Sequence, residues 1–289
     1  MFLFGQQTAG SGPWFHDRLG QAHTIPVDVW PHTLALEGDH QAYLDYLTVS
    51  WGYYGGSYQK RNTEQGRQAQ LQRLLTMDGD GPVKVVRRPD GELLVVDGNH
   101  RTAIAHHRGR TPDIVEVLPE KWLQQVTDNP GERYGSKPGK PYQSVFHNGA
   151  EIIVGRRRDT LTRHETIGVG NVLDLGCNIG AATLLAGGHG VDASPRLVTS
   201  AWRLAAYMTS ESTFAVADLN TQVFEADTVF CFAVVAHLDR VDALRETLSN
   251  ARVVYFEENA GPAQFPKVAD LFVHVEELPG KRRLYRCES

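Results

Sequence analysis

The chain has 289 residues, 41% of them hydrophobic and 22% charged, with a formal net charge of -5. That is the makeup of a globular protein with room for two ordinary domains or one large one, and its acidic balance argues against nucleic acid as a partner. Cys177, Cys231 and Cys287 are far apart and form no CxxC pair, which argues against a disulfide framework and a zinc site; with neither a leader peptide nor a run near the ~20 apolar residues of a membrane span, the expected setting is the cytoplasm.

Residues 1–23 carry Gly, Ser, Pro and Gln without a period and read as an arm. Thr24–Pro31 follows as a short strand with a turn after it, and Leu44–Leu47 as part of a helix. Ser50–Arg61, rich in glycine and aromatics, reads either as an ordered loop over a ligand or as a surface loop with locally packed tyrosines. Leu71, Leu74 and Leu75 have helical spacing within Gln65–Met77. Pro82–Arg88 and Glu92–Asp97 are strands joined by Pro89-Asp90-Gly91, a hairpin turn of the Asp-Gly type. Asp97-Gly98-Asn99-His100-Arg101 leads into a helix expected from Thr102 to Arg108, and Ile114–Leu118 closes the unit as a strand.

Free backbone N–H groups at a helix start bind anions, and a neighbouring His and Arg add donors. Gly98–Arg101 is therefore expected to hold phosphate groups. This order of elements resembles the ParB/sulfiredoxin fold, a small α+β domain in which a strand ends in Asp-Gly-His-His-Arg or a close variant. The resemblance covers about Thr24 to Leu118 and implies a bound nucleotide such as ATP, ADP or CTP, held through Asp97, Gly98, Asn99, His100 and Arg101. Asn99 departs from the His common there, no cysteine precedes Cys177, and no helix-turn-helix portion follows. Glu37, with Asp39 nearby, stands where a general base serves the kinase-like relatives.

Thr127–Pro141 holds three prolines and three glycines and reads as a linker between domains at 24–126 and 142–289. A hairpin around Asn148-Gly149 follows, then a polar helix over Arg156–Glu165 with Arg156, Arg158 and Arg163 available to an acidic substrate. Asn171–Gly180 is an apolar strand running into the turn Gly176-Cys177-Asn178-Ile179-Gly180, and His189–Ser194 a second strand ending on Asp192. A strand, a glycine turn, a helix and a strand ending in an acid bind a nucleoside. With no third glycine at dinucleotide spacing and no Gly-Lys-Ser/Thr, there is no pyrophosphate to cradle.

At these residues the chain resembles the class I S-adenosylmethionine-dependent methyltransferases. Asp174–Gly180 matches their first motif and Val191–Ser194 their second. The resemblance implies a doubly wound, seven-stranded Rossmann-like α/β sheet with S-adenosylmethionine as cofactor. Gly176 to Gly180, with Cys177 and Asn178, would pass under its methionine part, Asp192 would hold the ribose, Asp218 and Leu219 would flank the adenine, and Asp174, Ala193 and Phe232 are further candidates for the cofactor site. Further strands are expected at Thr213–Ala217, Asp227–Phe232 and Arg252–Glu257, helices at Arg196–Met208 and Val241–Leu248, and a terminal hairpin of Leu271–Glu276 with Arg283–Cys287. The segment between Gly180 and Val191 is short, so the first helix is clipped.

Ligands in open α/β sheets sit beyond the carboxyl ends of the strands. His237 is the best-placed base on that edge, unless it is a structural histidine, and Glu257, Glu258 and Asn259 accompany it. No Asn/Asp-Pro-Pro-Tyr/Phe or Pro-Cys marks a base-modifying enzyme, which favours a small-molecule acceptor: a metabolite or nucleotide, phosphorylated or not. Two rival readings stay open. One is a bifunctional enzyme whose first domain is a Mg2+-dependent small-molecule kinase. The other is a nucleic-acid modification or binding protein with a degenerate methyltransferase fold.

Overall fold

The computed structural model describes residues 23–24, 32, 35–54, 61–127, 141–155, 170–258, 263–278 and 283–288. The chain divides into two compact units, Met1–Gln125 with Ala206–Thr209, and Val126–Ala205 with Ser210–Ser289. Among the described residues no helix is long and apolar enough to cross a membrane.

The first unit holds a mixed four-stranded sheet of β1 (His23–Thr24), β2 (Val83–Arg87), β3 (Leu93–Asp97) and β4 (Ile114–Val117), in the order β1-β3-β2-β4. The hairpin of β2 and β3 turns at Gly91, and Arg88 inside the turn is clasped by Asp90 and Glu92. Helices α1 (His40–Tyr54) and α2 (Glu64–Thr76) join Ile104 of α3 (Asn99–His107) in a core of Tyr43, Leu47, Leu71 and Leu74. Thr63 caps α2 by accepting from the Gly66 N–H, and Asp39 accepts from the Ala42 N–H at the start of α1. A further helix, α4, spans Pro119–Thr127.

Three expectations for this unit change. Ser50–Tyr54 is the last part of α1, not a loop; packing of the Tyr43/Leu47 face outweighs the weak helix propensity of its Gly and aromatic residues. α3 starts at Asn99 instead of Thr102, because Gly98 takes a left-handed φ of 102° and turns the chain directly into the helix. Thr127 ends α4, so the expected linker begins after it. The arm at 1–22, most of the strand expected at Thr24–Pro31, residues 55–60 of the aromatic stretch, and linker residues 128–140 lie outside the described residues.

The second unit opens with a hairpin of β5 (Val145–His147) and β6 (Ala150–Ile153), turning at Asn148-Gly149. The polar helix expected at Arg156–Glu165 falls outside the described residues. The main sheet has seven strands: β7 (Val172–Leu175), β8 (His189–Asp192), β9 (Thr213–Val216), β10 (Thr228–Phe232), β11 (Val253–Glu257), β12 (His274–Leu278) and β13 (Leu284–Glu288). Their order is β12-β13-β11-β10-β7-β8-β9, parallel except for β13, which runs antiparallel to both of its neighbours.

Every residue of β7, β10 and β11 is buried, as befits strands covered on both faces. Leu173, Leu175, Val229, Cys231, Val254 and Phe256 form the core on one face, while Val172, Phe230, Val253 and Tyr255 form it on the other. Helix α5 (Ala181–Ala186) follows β7, α6 (Pro195–Met208) follows β8 and α7 (Asp242–Ser249) precedes β11. The clipped first helix is real, at six residues between two left-handed glycines, Gly180 and Gly187. β12 starts at His274, not Leu271, because Ala269–Leu271 winds into a 3-10 turn.

Candidate functional site

The strand order reverses at β7, which pairs with β8 on one side and β10 on the other. Beyond the carboxyl ends of these two strands lies the switch-point crevice where open α/β sheets take ligands. The glycine turn sits there. Gly176, Asn178 and Gly180 all take positive φ, of 67°, 55° and 80°. Asn178 adopts the left-handed state best tolerated by Asn among side-chain-bearing residues, and its own Oδ1 accepts from the Ile179 N–H at 2.9 Å. A Cβ on Gly180 would stand 2.5 Å from a ring carbon of Phe214 in β9, so this position has no room for a side chain.

Asp192 ends β8 with both oxygens engaged: Oδ2 accepts from the Asn178 N–H at 2.9 Å and Oδ1 from the Ser194 N–H at 2.8 Å. The acid thus ties the turn after β7 to the loop after β8. Ala193 is exposed beside it. Cys177 is buried, its N–H donates to the Val191 carbonyl at 2.9 Å, and burial pushes its thiol upward, so it stays protonated.

Asp174 is 3% exposed, and its Oδ2 accepts from the Thr183 hydroxyl of α5 at 2.6 Å. Burial pushes its carboxyl up to about 7, against the hydrogen bonds from Thr183, and the nearby charge of Asp192 adds to the rise. It braces the turn from below.

Asp218 is exposed after β9, and the Asn220 backbone N–H and side-chain amide hold it below the usual carboxylate range. Asn220 also accepts, through Oδ1, from the N–H groups of Asp239 at 2.9 Å and Arg240 at 3.2 Å. One amide therefore links the loop after β9 to the loop beyond β10. Leu219 and Phe232 are buried next to these loops.

His237 is exposed on the 3-10 turn Val235–His237 that follows β10. Glu257 ends β11 buried, its carbonyl accepting from the Ala233 N–H. The buried Glu258 accepts from the N–H groups of Gln264 and Phe265 and pairs with Arg283 at 3.3 Å, which makes it an organiser of its loop. Asn259 falls outside the described residues.

In the first unit, Arg101 folds back over Gly98, its guanidinium nitrogens 3.1 Å from where a Gly98 Cβ would stand, and lies 3.8 Å from Asp97. Lys84 pairs with the other oxygen of Asp97 at 3.0 Å. His100 Nε2 meets Gln70 Nε2 at 3.1 Å and the Tyr43 hydroxyl at 3.4 Å. Asn99 is half-buried at the start of the helix, and Glu37 lies exposed in the turn before α1.

No protein-family model and no curated protein matches the chain. Methyltransferase structures are among the solved structures that do. Magnesium protoporphyrin IX methyltransferase (ChlM) from Synechocystis PCC 6803 is 20% identical with a TM-score of 0.33, over 42% of this chain and 74% of its own. A SAM-dependent methyltransferase from Aquifex aeolicus is 15% identical with a TM-score of 0.35, over 42% of this chain and 82% of its own. EvdMO1 is 16% identical with a TM-score of 0.37, and the match covers 42% of this chain but only 38% of EvdMO1. Similarity at this level decides nothing about chemistry, which has to come from the residues themselves.

Thr183, Asn220, Gln70 and Tyr43 escaped the sequence reading. Asp218-x-Asn220 carries a local signal, since an acid two residues before an Asn favours an Asx turn. The other three meet their partners only through the fold.

Proposed function

We propose that the second unit is an S-adenosylmethionine-dependent methyltransferase acting on a small molecule. The observation that carries this reading is the pairing of Asp192 with the left-handed glycine turn at the sheet's switch point. The residues present fit that cofactor. A nucleoside with a cationic sulfonium and no pyrophosphate meets the carboxylates of Asp192 and Asp218, and there is no lysine or arginine between Asp174 and Ser194 to bind phosphate.

When bound, the cofactor would supply an electrophilic methyl group. Gly176, Cys177, Asn178 and Gly180 would lie along its methionine part, with Asp174 as the brace beneath. Asp192 and Ala193 would hold the ribose, and Asp218, Leu219 and Phe232 would frame the adenine. His237 is the exposed group available to take a proton from the acceptor, with Glu257 behind it in the strand. The first unit, a small α+β domain that we read as ParB/sulfiredoxin-like, would hold the phosphates of ATP, ADP or CTP at Gly98–Arg101. Either it serves a phosphorylated acceptor or it runs a separate Mg2+-dependent phosphotransfer with Glu37 as base.

Calorimetric titration with S-adenosylmethionine tests the first claim. Saturable one-to-one binding, weakened at least about tenfold by Asp192→Ala in a chain that keeps its circular dichroism spectrum, is the expected result. A wild-type protein that binds neither S-adenosylmethionine nor S-adenosylhomocysteine overturns it.

A further inference from the structure

The chain leaves β10 through a backbone conformation that its residue does not favour. Ala233 takes a φ of 60°, in the left-handed region that residues with a Cβ adopt rarely and glycine adopts without strain. The surroundings impose it: the Ala233 N–H donates to the Glu257 carbonyl at 2.9 Å, and the residue is 8% exposed. Backbone of this kind persists only where its neighbours over-determine it, and such places gather at functional sites. Here the bend sends the chain out of the sheet and into the 3-10 turn that carries His237.

The next residue fixes where that turn lies. Val234 is buried, and its Cγ2 lies 2.9 Å from where a Cβ on Gly176 would stand. The bare position in the glycine turn is thus filled by a methyl group from the loop after β10. The His237 N–H donates back to the Val234 carbonyl at 2.9 Å. At the far end of the same loop, the N–H groups of Asp239 and Arg240 donate to Asn220. Residues 234–240 are therefore strung between the turn after β7 and the loop after β9, with His237 between the two anchors.

We infer that Ala233 and Val234 are positioning residues for His237, and that Val234, seated on Gly176, transmits occupancy of the glycine turn to the histidine. The inference rests on reading that turn as the S-adenosylmethionine site. A ligand moves a group it does not touch only through contacts that differ between two arrangements, and the methyl on Gly176 is such a contact. The strained alanine supplies stiffness. With glycine at 233 the backbone would have more conformations, and a displacement of Val234 would be absorbed there instead of reaching His237.

Histidine-ring NMR on the full chain, titrated with S-adenosylmethionine, reads the coupling directly. His237→Gln identifies the ring's signals among the 12 histidines. In the wild type the His237 signals should shift and saturate together with binding measured by calorimetry. Val234→Ala should cut that shift by at least half while cofactor affinity stays within about threefold. Val234→Ile, which keeps the Cγ2 methyl, should restore the shift. Ala233→Gly should melt no lower than wild type and still show a reduced shift, which a merely structural role would not produce. A wild type that binds the cofactor while its His237 signals stay still, or a Val234→Ala variant with the full shift, overturns the inference and leaves the cofactor reading standing. An Ala233→Gly variant with the full shift overturns the part given to the alanine. A wild type that binds neither S-adenosylmethionine nor S-adenosylhomocysteine removes the cofactor reading and this inference with it.

Discussion

Gly190 is the partner of Asp174 across β7 and β8, and the side chain it lacks would occupy the place of the Thr183 hydroxyl. A Cβ there would stand 2.7 Å from Thr183 Oγ1, while that oxygen donates to Asp174 at 2.6 Å. The bare strand position is what lets α5 bring its hydroxyl down onto the buried acid.

Gly190→Ala therefore displaces Thr183 as well as crowding Phe214 and Cys177, both within 2.9 Å of the added carbon. A loss of about 1–3 kcal/mol is expected from urea unfolding. A variant as stable as wild type would mean that α5 shifts freely.

Asp174→Asn should change stability in a pH-dependent way. The buried carboxyl titrates at about 7 when folded, above its ordinary 3.8, so the folded state favours the protonated acid. That advantage is complete below about pH 4 and is lost as pH rises through 7, a span of about 4 kcal/mol. The amide never ionises, so the variant should match or trail wild type at pH 5 and exceed it in melting temperature at pH 8.5. Thr183→Val, which removes a donor to the carboxylate, should move the wild-type falloff to higher pH. Parallel melting curves at both pH values for Asp174→Asn and wild type would refute the account.

Gly180→Ala puts a side chain into a left-handed φ of 80° and against the Phe214 ring. The conformation costs about 1–2 kcal/mol by itself, and the clash adds to it. Phe214→Leu in the same chain should recover part of the loss, so a double-mutant cycle with no coupling would place the ring elsewhere.

Asn220→Ala cuts the link between the loops after β9 and β10 and frees Asp218 to titrate closer to its ordinary value. A fall of about tenfold in affinity for S-adenosylmethionine is expected by calorimetry with little change in melting temperature, because the loops, not the core, lose their tie.

The sheet was legible because its central strands are short apolar runs bounded by turn signals, Val172–Leu175, Thr228–Phe232 and Val253–Glu257 among them. The hairpin at Asp90-Gly91 announced itself by turn chemistry. Helix α4 did not: Pro119 at its first position is a start signal, but the proline-rich stretch close behind it masked the helix. Asn99 as a helix start was hidden because a glycine in a left-handed cap and a glycine in a loop look alike in sequence. At the site, the acids could be named from their places at strand ends, yet not their directions. Nothing near Asp174 in sequence says that it points at Thr183 rather than at a ligand, and Tyr43 and Gln70 lie 57 and 30 residues from His100.

The place of β13 has a consequence for how the chain assembles. Residues 284–288 sit inside the sheet, between β11 and β12, and not at its edge. Until they arrive, β11 exposes a full row of backbone groups and β12 has no neighbour to pair with. During synthesis the strands up to β11 can form around the glycine turn, but the sheet stays open on one side until residue 288 has left the ribosome. The unit thus carries an adhesive edge until residues 284–288 appear, and shields it with a strand made after both of the strands it joins.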